Sequence, residues 1–351
     1  MSGVLHSHHP FRIFFVSGFI SIAALVCVAW FLGPQAAFLT LILMLVEITF
    51  SFDNAIINAK ILAGMSKFWQ QMFMTVGILI AVFGMRIVFP IVLVMITTGL
   101  GAGSVLNLAL NDPAAYSNEL HKAHPLIASF GGMFLLMLCL NFFFDPAREV
   151  RWIDVIEKPM QRLGKWWIYT GICLLLLLLI AVLPFNHHPQ ETLVAGVIGI
   201  VVYLAISKLS DLFTKSQEQK SAVLKQTGWA GLVSFLYLQV LDASFSFDGV
   251  IGAFAVTTDV VLIAIGLGVG ALWVRSFTLF MVRRRTLHAY RYLEHGAHYT
   301  IGILALVLLG GLFVEVPEAI AGVAGLLVVG ASIASSVTAR RRGEHDSGSG
   351  R

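Results

Sequence analysis

Hydrophobic residues along this chain gather into long runs separated by short polar segments. A membrane-spanning α-helix needs about 20 predominantly apolar residues. Runs of about that length cover 14–32, 36–59, 69–97, 126–144, 167–184, 192–208, 229–257, 260–282, 297–314 and 319–337. The pattern predicts an all-α polytopic membrane protein with about ten transmembrane helices.

Basic residues indicate how these helices are oriented. With the N-terminus in the cytoplasm, twenty of the 23 Lys and Arg residues lie on the cytoplasmic side. Only Lys122 lies outside, and Arg86 and Arg275 fall within predicted helices. Cytoplasmic loops carry an excess of Lys and Arg, so we expect both termini in the cytoplasm.

The second and seventh predicted helices carry the same polar motif. Glu47 and Asp53 fall near the middle of the second helix, where a charge is costly in hydrocarbon. The seventh helix repeats the motif at a constant offset, with Asp242 matching Glu47 and Ser246-Phe247-Asp248 matching Ser51-Phe52-Asp53. The repeat predicts an internal duplication.

The two copies of the motif run in opposite directions through the predicted membrane. The chain therefore divides into two inverted-topology repeats, 1–190 and 191–340, followed by a disordered cytoplasmic tail, 341–351. Transporters built this way hold their substrate near the bilayer midplane, where the repeats meet. Arg86 and Arg275 each lie one helix after an acidic motif, and we expect both inside the membrane to balance charge.

Helical spacing places several motif side chains together. Glu47, Ser51, Asn54 and Asn58 share one helix face, and Asp53 lies about a third of a turn away. Either a neighbouring helix packs into that angle, or the helix unwinds around 51–54 and frees backbone carbonyls. The spacing fits both arrangements, and the same alternatives apply to the seventh helix.

The oxygen-bearing side chains of the two motifs form a candidate metal site. Carboxylate, amide and hydroxyl oxygens suit calcium, magnesium or manganese. Four acids set against two arginines leave a net charge of minus two, which matches one divalent cation, and a protonated acid would allow metal-for-proton exchange. The acids could instead pair with the arginines and only hold helices together. The candidate ligands are Glu47, Ser51, Asp53, Asn54, Asp242, Ser246 and Asp248.

Composition narrows the functional classes. The 351-residue chain is 58% hydrophobic and 12% charged, about half the charged fraction of soluble proteins. This apolar, weakly charged composition excludes a nucleic-acid-binding role. The expected partners are a divalent cation and the lipid bilayer. The sequence shows no nucleophile constellation, so we predict a non-enzyme with no cofactor beyond the cation it transports.

Three segments outside the spans have their own patterns. We expect 101–125 to be a solvated loop and 145–165 to form an amphipathic helix at the cytoplasmic interface. Glu294, His295 and His298 follow on one helix face near the predicted cytoplasmic entrance. They could bind a metal, sense pH or serve only in helix packing.

The two motifs resemble those of the TerC family of integral membrane proteins. The similarity extends to Phe254-Ala-Val-Thr-Thr-Asp259, to Arg275-Ser276 and to Gly84-Met-Arg86, and it covers about residues 37–315. The resemblance implies an exporter of divalent metal, chiefly manganese, in the bacterial inner membrane, related to LysE-like exporters. The chain departs from the family pattern at Gly249, at Ile251 and at Gly266-Leu267.

Three other functions remain open from the sequence. The protein could transport calcium, or it could be a non-transporting membrane scaffold in metal or tellurite stress that docks partners on 145–165. A third reading is an intramembrane metal-dependent enzyme. Neither the scaffold nor the enzyme accounts for the repetition of acids at mid-membrane.

Overall fold

The structure is a computed structural model that describes residues 10–218, 227–284, 289–314, 316 and 318–348. The described residues are predominantly α-helical, and none of them forms a β-strand. The first half contains α1 Pro10–Leu32, α2 Pro34–Phe50, α3 Phe52–Gly64, α4 Lys67–Met74, α5 Val76–Leu79, a π-helix Ile80–Val88, α6 Phe89–Thr98, α7 Ala102–Asn111, α8 Pro113–Lys122, α9 His124–Phe143, α10 Asp154–Arg162 and α11 Trp166–Val182. The second half contains α12 Pro189–Glu218, α13 Gly228–Val256, α14 Val260–Arg284, α15 Leu293–Gly310 and α16 Glu318–Gly348.

The helices confirm a multi-pass membrane protein. In the described part of the chain, seven helical segments are long and apolar enough to cross a bilayer, and nine are if each of two bent pairs counts as one span. The remaining predicted span, 229–257, coincides with the 29-residue helix α13. Large apolar side chains such as Ile22, Trp30 and Phe31 are exposed on the outside, where lipid would cover them.

The acidic motifs lie on helices of different shape. The second predicted span is broken at Ser51, where α2 and α3 meet at an angle of 53°. By contrast, α13 runs through the second motif without a break. Of the two arrangements that the sequence allowed, a broken helix holds for the first motif and a continuous helix for the second.

Three predicted polar segments differ from expectation. The 101–125 segment is a pair of helices, α7 and α8, because Val105, Tyr116 and Leu120 give it an apolar side that is buried against neighbouring helices. In 145–165 the helix α10 covers only Asp154–Arg162, and the rest of the segment is turn or irregular structure. The predicted tail 341–351 is helical as far as Gly348, because α16 continues through its Ala-Arg-rich end.

The core is organised around α9. This helix is apolar on all sides and is mostly buried, as expected of a helix surrounded by others. It packs closely against α12 and α15, while α14 packs against α2 and α3. This packing places α2 and α3 together with α14, α15 and α16 around the acidic motifs.

Small residues let α14 approach α2 closely. A Cβ atom added at Gly270 would lie 2.6 Å from Glu47 Cβ and 3.1 Å from the Met44 carbonyl oxygen. One added at Gly266 would lie 2.5 Å from Leu43 Cβ. These glycines therefore form a small-residue seam that permits close helix packing.

Gly270→Ala is expected to destabilise the protein by about 1–3 kcal/mol, because overpacking forces α14 away from α2. Gly18→Ala on α1 is the matched control, since a Cβ there would meet nothing within 4 Å. Thermal unfolding in detergent measures both variants. Equal melting temperatures for the two variants would contradict the close packing at Gly270.

Candidate functional site

The acid of the first motif forms a buried ion pair with the first intramembrane arginine. Arg86 Nη2 donates to Glu47 Oε1, and both side chains are almost inaccessible to solvent. Arg86 lies in the π-helix Ile80–Val88 and also donates from Nη1 to the Ala81 carbonyl, 2.7 Å away. Ser51 donates its hydroxyl to the same Glu47 oxygen at 3.1 Å. Glu47 Oε1 is therefore fully engaged.

The second motif repeats this pairing. Arg275 Nη2 donates to Asp242 Oδ2, while Arg275 Nη1 donates to the Phe73 carbonyl at 3.0 Å. The other oxygen, Asp242 Oδ1, accepts from the side-chain amides of Asn54 at 3.1 Å and Asn58 at 2.8 Å. The two asparagines thus bind α3 directly to α13. Removing either member of such a buried pair leaves an uncompensated charge.

These groups surround a cavity of about 20 Å³, here called the arginine cavity. Its two acids and two arginines carry no net formal charge. Several buried polar atoms in its wall have no hydrogen-bond partner among the described residues, namely Asn54 Oδ1, Asn58 Oδ1, Ser246 Oγ and Arg86 Nε. Unpaired donors and acceptors in one place make a polar, electrically neutral cavity that suits water.

Asp53 faces a different cavity at the α2–α3 break, here called the break cavity, of about 50 Å³. Asp53 is only 6% exposed and lies in the first turn of α3. Its Oδ1 accepts from the Asn54 backbone N–H at 2.9 Å, and within the described part of the chain no basic side chain pairs with it. Asp53 is therefore the acid that neither arginine balances.

Glu47 and Ser51 line both cavities, so the two spaces meet at the helix break. Gly249 faces Glu47 from α13, and a Cβ there would lie 3.4 Å from Glu47 Oε2. The missing side chain leaves Glu47 Oε2 open toward the break cavity.

The structure brings most of the predicted site residues together. Residues around the arginine cavity are Glu47, Ser51, Asn54, Arg86, Asp242, Ser246 and Arg275. Asp53 lines the adjacent break cavity. The Asp248 side chain lies outside the described residues. No group of three or more His, Cys, Asp or Glu side chains in the described part of the chain is arranged to hold a metal. The predicted ligands in the described part of the chain therefore lie close together but line two adjacent cavities.

Sequence reasoning missed some residues of this region. Gln239 is buried one turn before Asp242, and neither atom of its amide has a partner among the described residues. The sequence signal that could have identified Gln239 is a polar residue on the same helix face as Asp242 within an apolar helix. The far wall of the break cavity comes from α15 and α16, through Thr300, Gly322 and Gly325. That wall had no sequence signal, because these residues are ordinary in packed helices.

The predicted cytoplasmic cluster does not line either cavity. Glu294 Oε1 accepts from Lys60 Nζ and from Arg148 Nη1, the latter at 3.0 Å. Burial lowers the pKa of Arg148 to about 10, which leaves the guanidinium charged at neutral pH. The Arg148 guanidinium also stacks 3.4 Å above the Phe142 ring. Glu294 therefore joins α3, α15 and the segment before α10.

The two histidines of this cluster have separate partners. His295 Nε2 lies 2.9 Å from the Val150 carbonyl and 3.5 Å from Glu157 Oε2. His298 stacks on Phe142 with ring centroids 3.6 Å apart, and its Nδ1 contacts the Glu294 carbonyl at 2.8 Å. These contacts favour the packing interpretation over a shared metal site.

The fold and the buried charge pairs define a multi-pass, all-α membrane protein with ionised groups at its centre. Within that class, the chain belongs to the family described as "Protein of unknown function (DUF475)", whose model matches residues 52–343. No curated protein and no solved structure matches the chain. The family match covers α3, the second motif and both arginines.

Proposed function

We propose that this protein is a secondary transporter that exports a divalent metal cation, chiefly manganese, in exchange for protons. The observation that carries the proposal is Asp53, a buried acid at a break in a membrane-spanning helix, with no cationic partner among the described residues. Such an acid is costly in a membrane unless a cation or a proton binds it. Broken helices at mid-membrane are a recurring substrate site in transporters.

The cation site of this proposal is the break cavity. Glu47 offers Oε2, Asp53 its carboxylate and Ser51 its hydroxyl, all on the wall of one cavity. Thr49 and Phe50 also line this cavity at the C-terminal end of α2, where a helix carries partial negative charge. Hard divalent cations favour such oxygen ligands.

Charge balance supports a divalent substrate. Arg86 and Arg275 neutralise Glu47 and Asp242. In the sequence, Asp53 and its repeat equivalent Asp248 are the two motif acids left over, and together they carry two negative charges. One divalent cation or two protons would cancel them, so exchange of one for the other keeps the site neutral.

The choice of manganese as the cation, and of export as the direction of transport, rests on the sequence. The TerC-like motifs favour manganese export from the bacterial cytoplasm, and the oxygen ligands also allow calcium. The distribution of Lys and Arg favours an inner-membrane protein with both termini in the cytoplasm. We therefore expect cations to enter from the side that carries α10 and the Lys60–Glu294 pair.

Flux into proteoliposomes with an internal manganese indicator tests the proposal. An outward proton gradient, with the lumen acidic, is expected to accelerate manganese entry through molecules whose cytoplasmic side faces the bath, and a protonophore should remove the acceleration. Calcium, magnesium and zinc are compared under the same gradient. Divalent flux no faster than in protein-free liposomes would overturn the proposal.

A further inference from the structure

The α10 helix lies across the end of the bundle rather than along it. It meets α11 at an angle of 109°. Because α11 is an apolar, membrane-spanning helix, α10 must lie close to the membrane plane, at the level of the lipid headgroups. The position makes its exposed face a surface for lipid.

The exposed face of this region combines apolar and aromatic side chains. Val155 is 87% exposed and Leu163 is 53% exposed. Trp166 and Trp167, at the start of α11, are also more than half exposed. Aromatic residues with a polar edge prefer the membrane–water interface. These side chains would sit at the boundary between headgroups and acyl chains.

Basic side chains surround these residues. Lys158, Arg162, Lys165 and Lys208 are all exposed, and the described residues place no acidic side chain within ion-pair distance of them. Lys208 reaches across from α12 to lie 4.3 Å above the Trp166 ring. Arg151 differs, because it pairs with Asp154 at 2.7 Å. These four cations therefore lie on α10, at the start of α11 and on the neighbouring α12, without an acidic partner among the described residues.

A buried acid holds this face in place. Glu157 is 1% exposed and accepts backbone N–H bonds from Trp152 at 3.0 Å and Ile153 at 3.2 Å. Tyr299 on α15 donates its hydroxyl to Glu157 at 3.1 Å. The inner side of α10 is thus fixed to the bundle, and its outer side stays free to meet a ligand.

We propose that the basic interfacial face, formed by Val155, Lys158, Arg162, Leu163, Lys165, Trp166 and Lys208, is a binding site for anionic phospholipid headgroups. Opposite charge is the complementarity that selects this occupant over a zwitterionic lipid. Each Lys or Arg near an anionic membrane surface adds to the attraction. The proposal is independent of any transport activity.

Native mass spectrometry of the detergent-solubilised chain tests it by counting bound lipids during titration with phosphatidylglycerol or phosphatidylcholine. We expect phosphatidylglycerol to bind about tenfold more tightly. The variant Lys158→Gln/Arg162→Gln is expected to lose about that tenfold preference. Arg340→Gln/Arg341→Gln on α16 removes the same charge elsewhere and should keep it. Both pairs are largely exposed, so normal elution on gel filtration verifies folding.

Several outcomes would overturn the proposal. Equal affinity for the two lipids would do so, as would an equal loss in the α10 and α16 variants, which would indicate diffuse charge attraction. Competition by millimolar inorganic phosphate as effective as that by the lipid would show a free-phosphate site instead of a lipid site.

Discussion

Asp53→Asn is expected to weaken manganese binding and transport strongly while leaving the fold intact. Removing one partner of a buried charge interaction costs about 2–5 kcal/mol, so manganese affinity should fall by about two orders of magnitude. The fold should survive because an asparagine oxygen can still accept the Asn54 backbone N–H that Asp53 Oδ1 accepts now. Calorimetric titration and vesicle flux measure the two effects.

Two variants make this result specific. Glu191→Gln removes an exposed acid in the first turn of α12 and should transport normally. Asp53→Glu keeps the charge on a longer side chain and should retain part of the binding. If Asp53→Asn binds manganese with unchanged affinity, the break cavity is not the cation site, whatever the flux shows.

Arg275→Met is expected to produce the largest loss of stability, about 3–5 kcal/mol, because it leaves the Asp242 carboxylate buried without its cation. Arg275 is 3% exposed, and its guanidinium also holds the Phe73 carbonyl and lies 4.1 Å above the Phe73 ring. Unfolding in a graded denaturing detergent, or the melting temperature, measures the change.

The double variant Arg275→Met/Asp242→Asn separates charge from packing. Removing both charges should recover more than half of the lost stability, because the remaining asparagine no longer needs a cation. Arg283→Met, at the less buried end of the same helix, should change stability little. If the double variant is no more stable than Arg275→Met, then packing around Arg275, and not the ion pair, holds α13 to α14.

The sequence alone predicted the class of the protein and most members of its central polar region. Apolar runs of spanning length predict membrane helices, because exposing such runs to water is unfavourable. In hydrocarbon, the backbone polar groups must form hydrogen bonds within the segment, which a helix provides. The repeat between Glu47 and Asp242 identified the buried acids, and the matched positions of Arg86 and Arg275 identified their counter-charges. Each of these signals is local, or repeats at a fixed offset.

Only the tertiary structure determined which of these polar side chains pair with each other and which cavity each one lines. Spacing placed Asp53 about a third of a turn from the helix face of Glu47. The 53° bend at Ser51 directs Asp53 into the break cavity, which Glu47 also lines and which α15 and α16 close on the far side. The amides of Asn54 and Asn58 bind Asp242 on α13, 184 or more positions away, which no local pattern encodes. The helices of 101–125 likewise depend on burial of Tyr116 and Leu120 against distant partners. A short polar motif specifies its residues, whereas the break and the surrounding helices determine which acids pair with an arginine and leave Asp53 without a basic partner among the described residues.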